Sequence, residues 1–285
     1  MKKFIKVVTM AMTLTAAASG IALATPSTQI WIPSTDIQPY KVLHLNVDSY
    51  FRSSGVSKSQ PVSAVPATGG TVPNPGSPGS TRDANVWDIG PTVGILPFEK
   101  VQMEVGFDYL TVANDPNDNH PFSGNFKIGT PEDSLFKMSP ALAVGMYNVG
   151  PTNYGKDIAP LITSGQNIAY VLAARTLPAI GPVPSIGRIS AGYYHGSARA
   201  LADPNGHSAN DGVLLSLDRT MTEISDKLWM AVDYQGGNNV DGALSFGASW
   251  NFAKNVSVIF GYDIWKEKAL AGNNTFTVQL DVNYP

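Results

Sequence analysis

Ten ionisable side chains fall at alternating positions inside short apolar runs: His44, Asp48, Asp88, Glu104, Asp108, Lys127, Arg175, Asp233, Asp263 and Asp281. Acids that share the wall of a polar lumen bias it toward cations. Opposed charges that cross the same lumen and pair would close it instead. The residue types alone support both readings. Asp218 and Arg219 are neighbours in the chain, so alternation lets one of them point inward and does not say which.

Two other groupings could do chemistry. Asn114-Asp115-Pro116-Asn117-Asp118-Asn119 offers the oxygens that hard cations favour. It lacks the ligand spacing and closing Glu of an EF-hand loop, and Asn, Asp and Pro in such a run are ordinary turn residues. The chain has four histidines, His44, His120, His195 and His207. His195 with Ser197 is the one pair that could seed a hydrolase, but no G-x-S-x-G surrounds it. An interfacial histidine near a rim is the expectation there. There is no Cys, which removes disulfides, thiolate chemistry and C-x-x-C-H haem attachment. No catalytic residue, metal ligand set or cofactor is expected.

These side chains are placed by strands. In Thr275–Tyr284, Phe276, Val278, Leu280, Val282 and Tyr284 alternate with Thr275, Thr277, Gln279, Asp281 and Asn283. A period of two is the signature of a strand with one oily and one wet face. Val101, Met103, Val105, Phe107 and Tyr109 repeat the pattern, as do Leu228, Met230, Val232 and Tyr234. So do Leu244–Phe252, Val256–Ile264 and Leu43–Val47. Weaker candidates lie at 85–96, 121–129, 139–149, 166–176, 187–197 and 211–220. The total is about twelve strands of about ten residues, the length a tilted membrane strand needs. Gly145, Gly192, Gly247 and Gly261 fall inside strands, where glycine permits a bend or a close approach. Trp87, Tyr109, Tyr234, Trp250, Tyr262 and Tyr284 suit the aromatic girdles of such a wall.

Connections alternate in length. Pro97-Phe98-Glu99, Met221–Asp226 and Ala253-Lys254-Asn255 are short, whereas 52–83, 151–165 and 197–210 are long. Short periplasmic turns and longer outer loops are the rule for outer-membrane barrels. Loop 52–83 is rich in Ser, Pro, Gly and Thr.

Lys2, Lys3 and Lys6, an apolar stretch from Val7, and Ala22-Leu23-Ala24 have the order of a secretory signal peptide. The chain carries 19 Lys+Arg; setting aside the three of the leader leaves 16 against 22 Asp+Glu. That acidity argues against nucleic acid, which wants a basic footprint. Charged residues make up 14% of the chain, well below the quarter usual for a soluble domain. No later stretch is long and apolar enough for a membrane helix.

Several segments resemble a family of largely uncharacterised outer-membrane β-barrel proteins of metal-reducing deltaproteobacteria. They are Ile30-Trp31-Ile32-Pro33 with Asp36-Ile37-Gln38-Pro39-Tyr40, Gly94-Ile95-Leu96-Pro97-Phe98-Glu99-Lys100, Ile128-Gly129-Thr130-Pro131-Glu132, Asp226–Gly236, and Asn274–Asp281. The resemblance implies a barrel and a compartment, but no reaction. Many outer-membrane barrels end in Phe, whereas this chain ends in Tyr284-Pro285.

The expectation is therefore an all-β protein, a transmembrane antiparallel up-and-down barrel of about twelve strands. Residues 1–24 form a signal peptide, 25–38 a periplasmic segment, and 39–285 the barrel in a Gram-negative outer membrane. Its partners would be the lipid bilayer, lipopolysaccharide and, through the C-terminal strand, the outer-membrane assembly machinery. Three functions remain open. One is a narrow channel for small polar solutes or ions with a slight cation preference along the Asp108–Asp233–Asp263 side. The others are a plugged envelope scaffold with binding outer loops, and a rim hydrolase at His195.

Overall fold

Alternation of apolar and polar residues lets a strand bury one face and present the other, and twelve such segments pair edge to edge here. A computed structural model describes residues 27–51, 86–111, 121–151, 165–179, 181 and 185–285. The first strands are β1 (Leu43–Phe51), β2 (Val86–Gly94), β3 (Gln102–Thr111) and β4 (Phe122–Thr130). They are followed by β5 (Ala141–Val149), β6 (Ile168–Leu177), β7 (Gly187–His195) and β8 (Asp211–Thr220). The last are β9 (Leu228–Gln235), β10 (Ala243–Ala253), β11 (Val256–Trp265) and β12 (Thr275–Tyr284). One short helix, α1 (Lys268–Ala271), lies in the connection between β11 and β12.

Each strand pairs antiparallel with its neighbours in sequence, and β1 pairs with β12 to close the barrel. In that seam Leu43 faces Tyr284 and Phe51 faces Phe276. Closure leaves no strand edge unpaired, the condition for placing backbone in hydrocarbon. The expected all-β, twelve-stranded, up-and-down barrel is therefore the observed fold.

The outward face is apolar. Leu45, Ile89, Phe107, Val144, Val171, Met230 and Phe260 are among its exposed side chains. An exposed apolar band encircling a closed barrel is a surface for lipid. Aromatic residues gather at its two rims. Trp87, Tyr109, Tyr234 and Tyr262 lie outward at the long-loop end, whereas Trp250 and Tyr284 lie near the short-turn end. Tyr262 sets its ring edge against Phe276 at 4.8 Å, and Tyr109 meets Phe122 at 5.1 Å. The run Asn114–Asn119 and the loop 52–83 lie outside the described residues.

A charge placed in the lipid band tests that band. Phe260, at the centre of β11, is 57% exposed. Phe260→Arg is expected to destabilise the barrel by about 2–4 kcal/mol. Reversible urea unfolding in lipid vesicles measures this.

Candidate functional site

Residues 27–38, part of the segment that sequence reading leaves in the periplasm, lie inside the barrel. Ser27–Pro33 turns back on itself: Thr28 and Pro33 form an antiparallel bridge. The Gln29 amide donates to the Ile32 carbonyl at 2.7 Å. The tip, Ile30-Trp31, reaches up the lumen, and the chain then returns past Asp36 and Gln38 toward the start of β1. There Tyr40 bridges to Gly94, and the Lys41 amide donates to the Gly94 carbonyl at 2.8 Å. The physical reason is plain. Ile30, Trp31 and Ile32 are apolar, and the barrel interior removes Ile30 and Ile32 from water almost completely.

One arc of the wall is shaped to receive this hairpin. Ile32 packs with Ile168, Tyr170, Leu172, Tyr194, Leu201 and Leu214. Ile30 packs with Ala231 and Ile259 and sits over Gly247 and Gly261, which face one another across β10 and β11. A Cβ on either glycine would approach Ile30 carbons to 2.8 Å. Glycine at this cross-strand pair is thus a fitted hollow rather than a flexible joint. Trp31 stands edge-on to Trp265 at 4.8 Å and to Tyr50 at 5.5 Å, and its indole N–H donates to the Asp241 carbonyl at 3.0 Å.

Polar anchors complete the docking. Asp233 Oδ2 accepts from the Ile30 and Trp31 amides at 2.7 and 3.0 Å. The Gln279 side chain donates to the Ile30 carbonyl at 2.7 Å. Glu104 accepts from the Gln38 amide at 2.7 Å and the Ser27 hydroxyl at 3.1 Å, and pairs with Lys127 at 3.1 Å. Lys127 Nζ also donates to the carbonyls of Ser27 and Ser34. Arg188 makes a two-point contact with Asp36 at 2.6 and 2.7 Å and holds Asp218 at 3.1 Å. Asp218 further accepts from the Gln29 amide group and the Trp229 indole, each at 3.1 Å. Charge-assisted and two-point contacts of this kind are the strong ones.

Nine of the ten ionisable candidates lie on inward positions: His44, Asp48, Asp88, Glu104, Asp108, Lys127, Asp233, Asp263 and Asp281. Arg175 is the exception and a correction. The buried, inward set of β6 is Ile168, Tyr170, Leu172 and Ala174, so Arg175 lies on the outward parity. It holds the turn after β4, meeting Asp133 at 2.9 Å and Glu132 at 3.3 Å. The Arg175 hydrogen bond keeps the Asp133 carboxyl below the usual carboxylate range. The Asp218–Arg219 ambiguity resolves with Asp218 inward and Arg219 paired to Glu223 of the following turn.

The inward acids do not form one group. Glu104, Asp218 and Asp233 are engaged by the hairpin. Asp263 accepts from Thr275 at 2.8 Å, and Asp281 meets His44 at 3.3 Å and Ser257 at 3.3 Å. Asp48, Asp88 and Asp108 stand apart on β1–β3. The expected Asp108–Asp233–Asp263 side therefore does not exist as a continuous stripe. His195 faces outward, with Asn210 at 3.3 Å from its Nε2. Ser197 uses its amide to reach the Gln166 carbonyl at 2.8 Å.

Sequence reading missed Gln29, Asp36, Arg188, Trp229 and Gln279 as parts of this site. A signal was present. Ile168, Leu172, Leu214 and Ile259 put bulky apolar side chains on the face that should be wet, which implies an apolar body inside. A cavity of about 430 Å³ remains at the short-turn end, lined by Gln29, Asp36, Arg188, Asp218, Trp229 and neighbouring residues.

Gly261→Ala pushes a methyl into Ile30 and is expected to cost about 1–3 kcal/mol, read from the urea midpoint. Asp241, in the connection between β9 and β10, is pushed up to about 6 by burial, against a hydrogen bond from Gln166. An ordinary Asp in the unfolded chain titrates near 3.9. A folded pKa above the unfolded one means stability is greatest below the unfolded value. It is lost as pH rises from about 4 to about 6. Asp241→Asn should flatten that window and raise the thermal midpoint at neutral pH but not at acid pH.

No family model matches the chain, and no curated protein does. Among solved structures it is similar to an outer membrane channel of Pseudomonas putida F1, at 12% identity and a TM-score of 0.45, over 87% of this chain and 97% of that one. It is similar to Omp33 of Acinetobacter baumannii at 10% identity and a TM-score of 0.38, over 86% and 98%. OmpF of Salmonella typhi gives 8% identity and a TM-score of 0.36, over 85% and 97%. Likeness at this level carries no function from those proteins to this one.

Proposed function

We propose that this chain is a narrow channel of a Gram-negative outer membrane, passing small polar solutes or ions, with its N-terminal hairpin as the constriction. The observation that carries the reading is the division of the lumen. The hairpin takes the arc from β6 to β11, where wall positions such as Leu172, Leu214 and Ile259 are apolar and fully buried. The arc from β1 to β4 is polar, and Asn46, Asp88, Asp108 and Asn125 stay partly exposed there. A path along that arc leaves the apolar contacts of Ile30 and Ile32 in place. Lipid bilayer and lipopolysaccharide are the partners that the apolar band and its aromatic rims suit. The assembly machinery would meet the C-terminal strand β12.

A specific observation favours a second reading, the plugged scaffold. Hydrogen bonds and ion pairs from six strands fix the N-terminal segment Ser27–Gln38, which is more than a loose constriction requires. Planar-bilayer recording of wild type and Asp233→Ala separates the two. The channel reading expects steady small conductance in wild type and a larger one in the variant, whose hairpin tip has lost the acceptor shared by its two amides. Silence from both proteins, with circular dichroism of an intact barrel, overturns the channel and leaves the scaffold.

A further inference from the structure

Asp48, Asp88 and Asp108 occupy adjacent strands in the half of the lumen nearer the long loops. Asp48 and Asp88 are direct cross-strand partners. Like charges placed opposite one another destabilise a sheet. Asp48 is within electrostatic reach of Asp88 and Asp281, and Asp88 of Asp108. Asp48 is 7% exposed, yet its Oδ1 has no hydrogen-bond partner among the described residues, and neither does Asp88 Oδ1. Asp108 lies flat on the wall, with its Oδ1 2.1 Å from where a Cβ on Gly90 would sit. Its other oxygen accepts from Asn125 at 2.6 Å, and Asn46 reaches Asp48 at 3.4 Å.

Basic residues of the lumen are committed elsewhere. Lys127 serves Glu104, Arg188 serves Asp36 and Asp218, and His44 serves Asp281. Asp108 lies within electrostatic reach of His44, but none of the three carboxylates has an ion-pair partner among the described residues. No three acidic or histidine side chains among the described residues are grouped to ligate a bare metal ion. The spacing instead suits a cation that keeps part of its water shell, held by charge and by the carbonyl oxygens of Asn46 and Asn125.

We propose that Asp48, Asp88 and Asp108 form a station for a hydrated cation on the β1–β3 wall. It deepens the channel reading and rests on it for its role in permeation, while cation binding itself does not require conduction. It differs from the acid side expected from the sequence, because Asp233 belongs to the hairpin and Asp263 to Thr275.

Two measurements on the full-length refolded protein test it. In bilayers under a KCl gradient, wild type should reverse on the cation-selective side. Asp48→Asn/Asp88→Asn should move the reversal potential toward zero and keep conductance, whereas Asp226→Asn in a short turn should not. In detergent, CaCl₂ should raise the thermal midpoint of wild type above NaCl at equal ionic strength, by mass action. The double variant should lose that rise. Single Asp48→Asn and Asp88→Asn variants give the same comparison if the double variant fails to fold. Conductance with an unchanged reversal potential, and no calcium-dependent rise in wild type, overturns the station and spares the channel. A calcium-dependent rise that the variants lose, in a protein that never conducts, keeps the station and overturns the channel.

Discussion

Twelve strands enclose more room than their own inward side chains fill, and a buried polar group in that room is costly unless it is paired. This constraint organises the interior. The hairpin Ser27–Pro33 supplies both things the wall lacks. Ile30 and Ile32 give apolar volume to the arc from β6 to β11. The backbone groups at its tip engage one oxygen of Asp233 and the side-chain amide of Gln279. The wall in turn provides the Gly247–Gly261 hollow, without which Ile30 could not approach.

Charge follows from that arrangement. Lys127 and Arg188 each meet an acid and a piece of the N-terminal segment at the same time, Lys127 with Glu104, Ser27 and Ser34, and Arg188 with Asp36 and Asp218. Committing those bases to the N-terminal segment divides the interior. The β6–β11 side is dry and interlocked. The other, on β1–β4, keeps its carboxylates and amides toward the remaining space.

The wall was legible because a period of two has few physical causes. Phe276 to Tyr284 on one face and Thr275 to Asn283 on the other can hardly be anything but a half-wet strand. The parity of β6 is not legible, since Val171 and Leu172 are both apolar, and nothing local then tells which face Arg175 takes. The hairpin was not placed either. Its contacts join residues as far apart as Ile30 and Gln279, and no local pattern encodes a pairing over that separation. The apolar residues on nominally wet faces, Leu172, Leu214 and Ile259, held the missing information. They read as blemishes in an alternation until something apolar is known to lie inside.

The position of the hairpin in the chain has a consequence for assembly order. It precedes β1, yet its tip is held by β9, β11 and β12, and Gln279 lies on the strand that closes the seam with β1. Contacts so distant in sequence form late, because loop closure must come before they are rewarded. The segment that precedes every strand in the chain is thus among the last to settle, and docking is an event that only a nearly finished cylinder can support. A chain whose final strand is missing or mispaired would carry Ile30, Trp31 and Ile32 into water, a visible mark of incompletion at the opposite end of the chain from the fault.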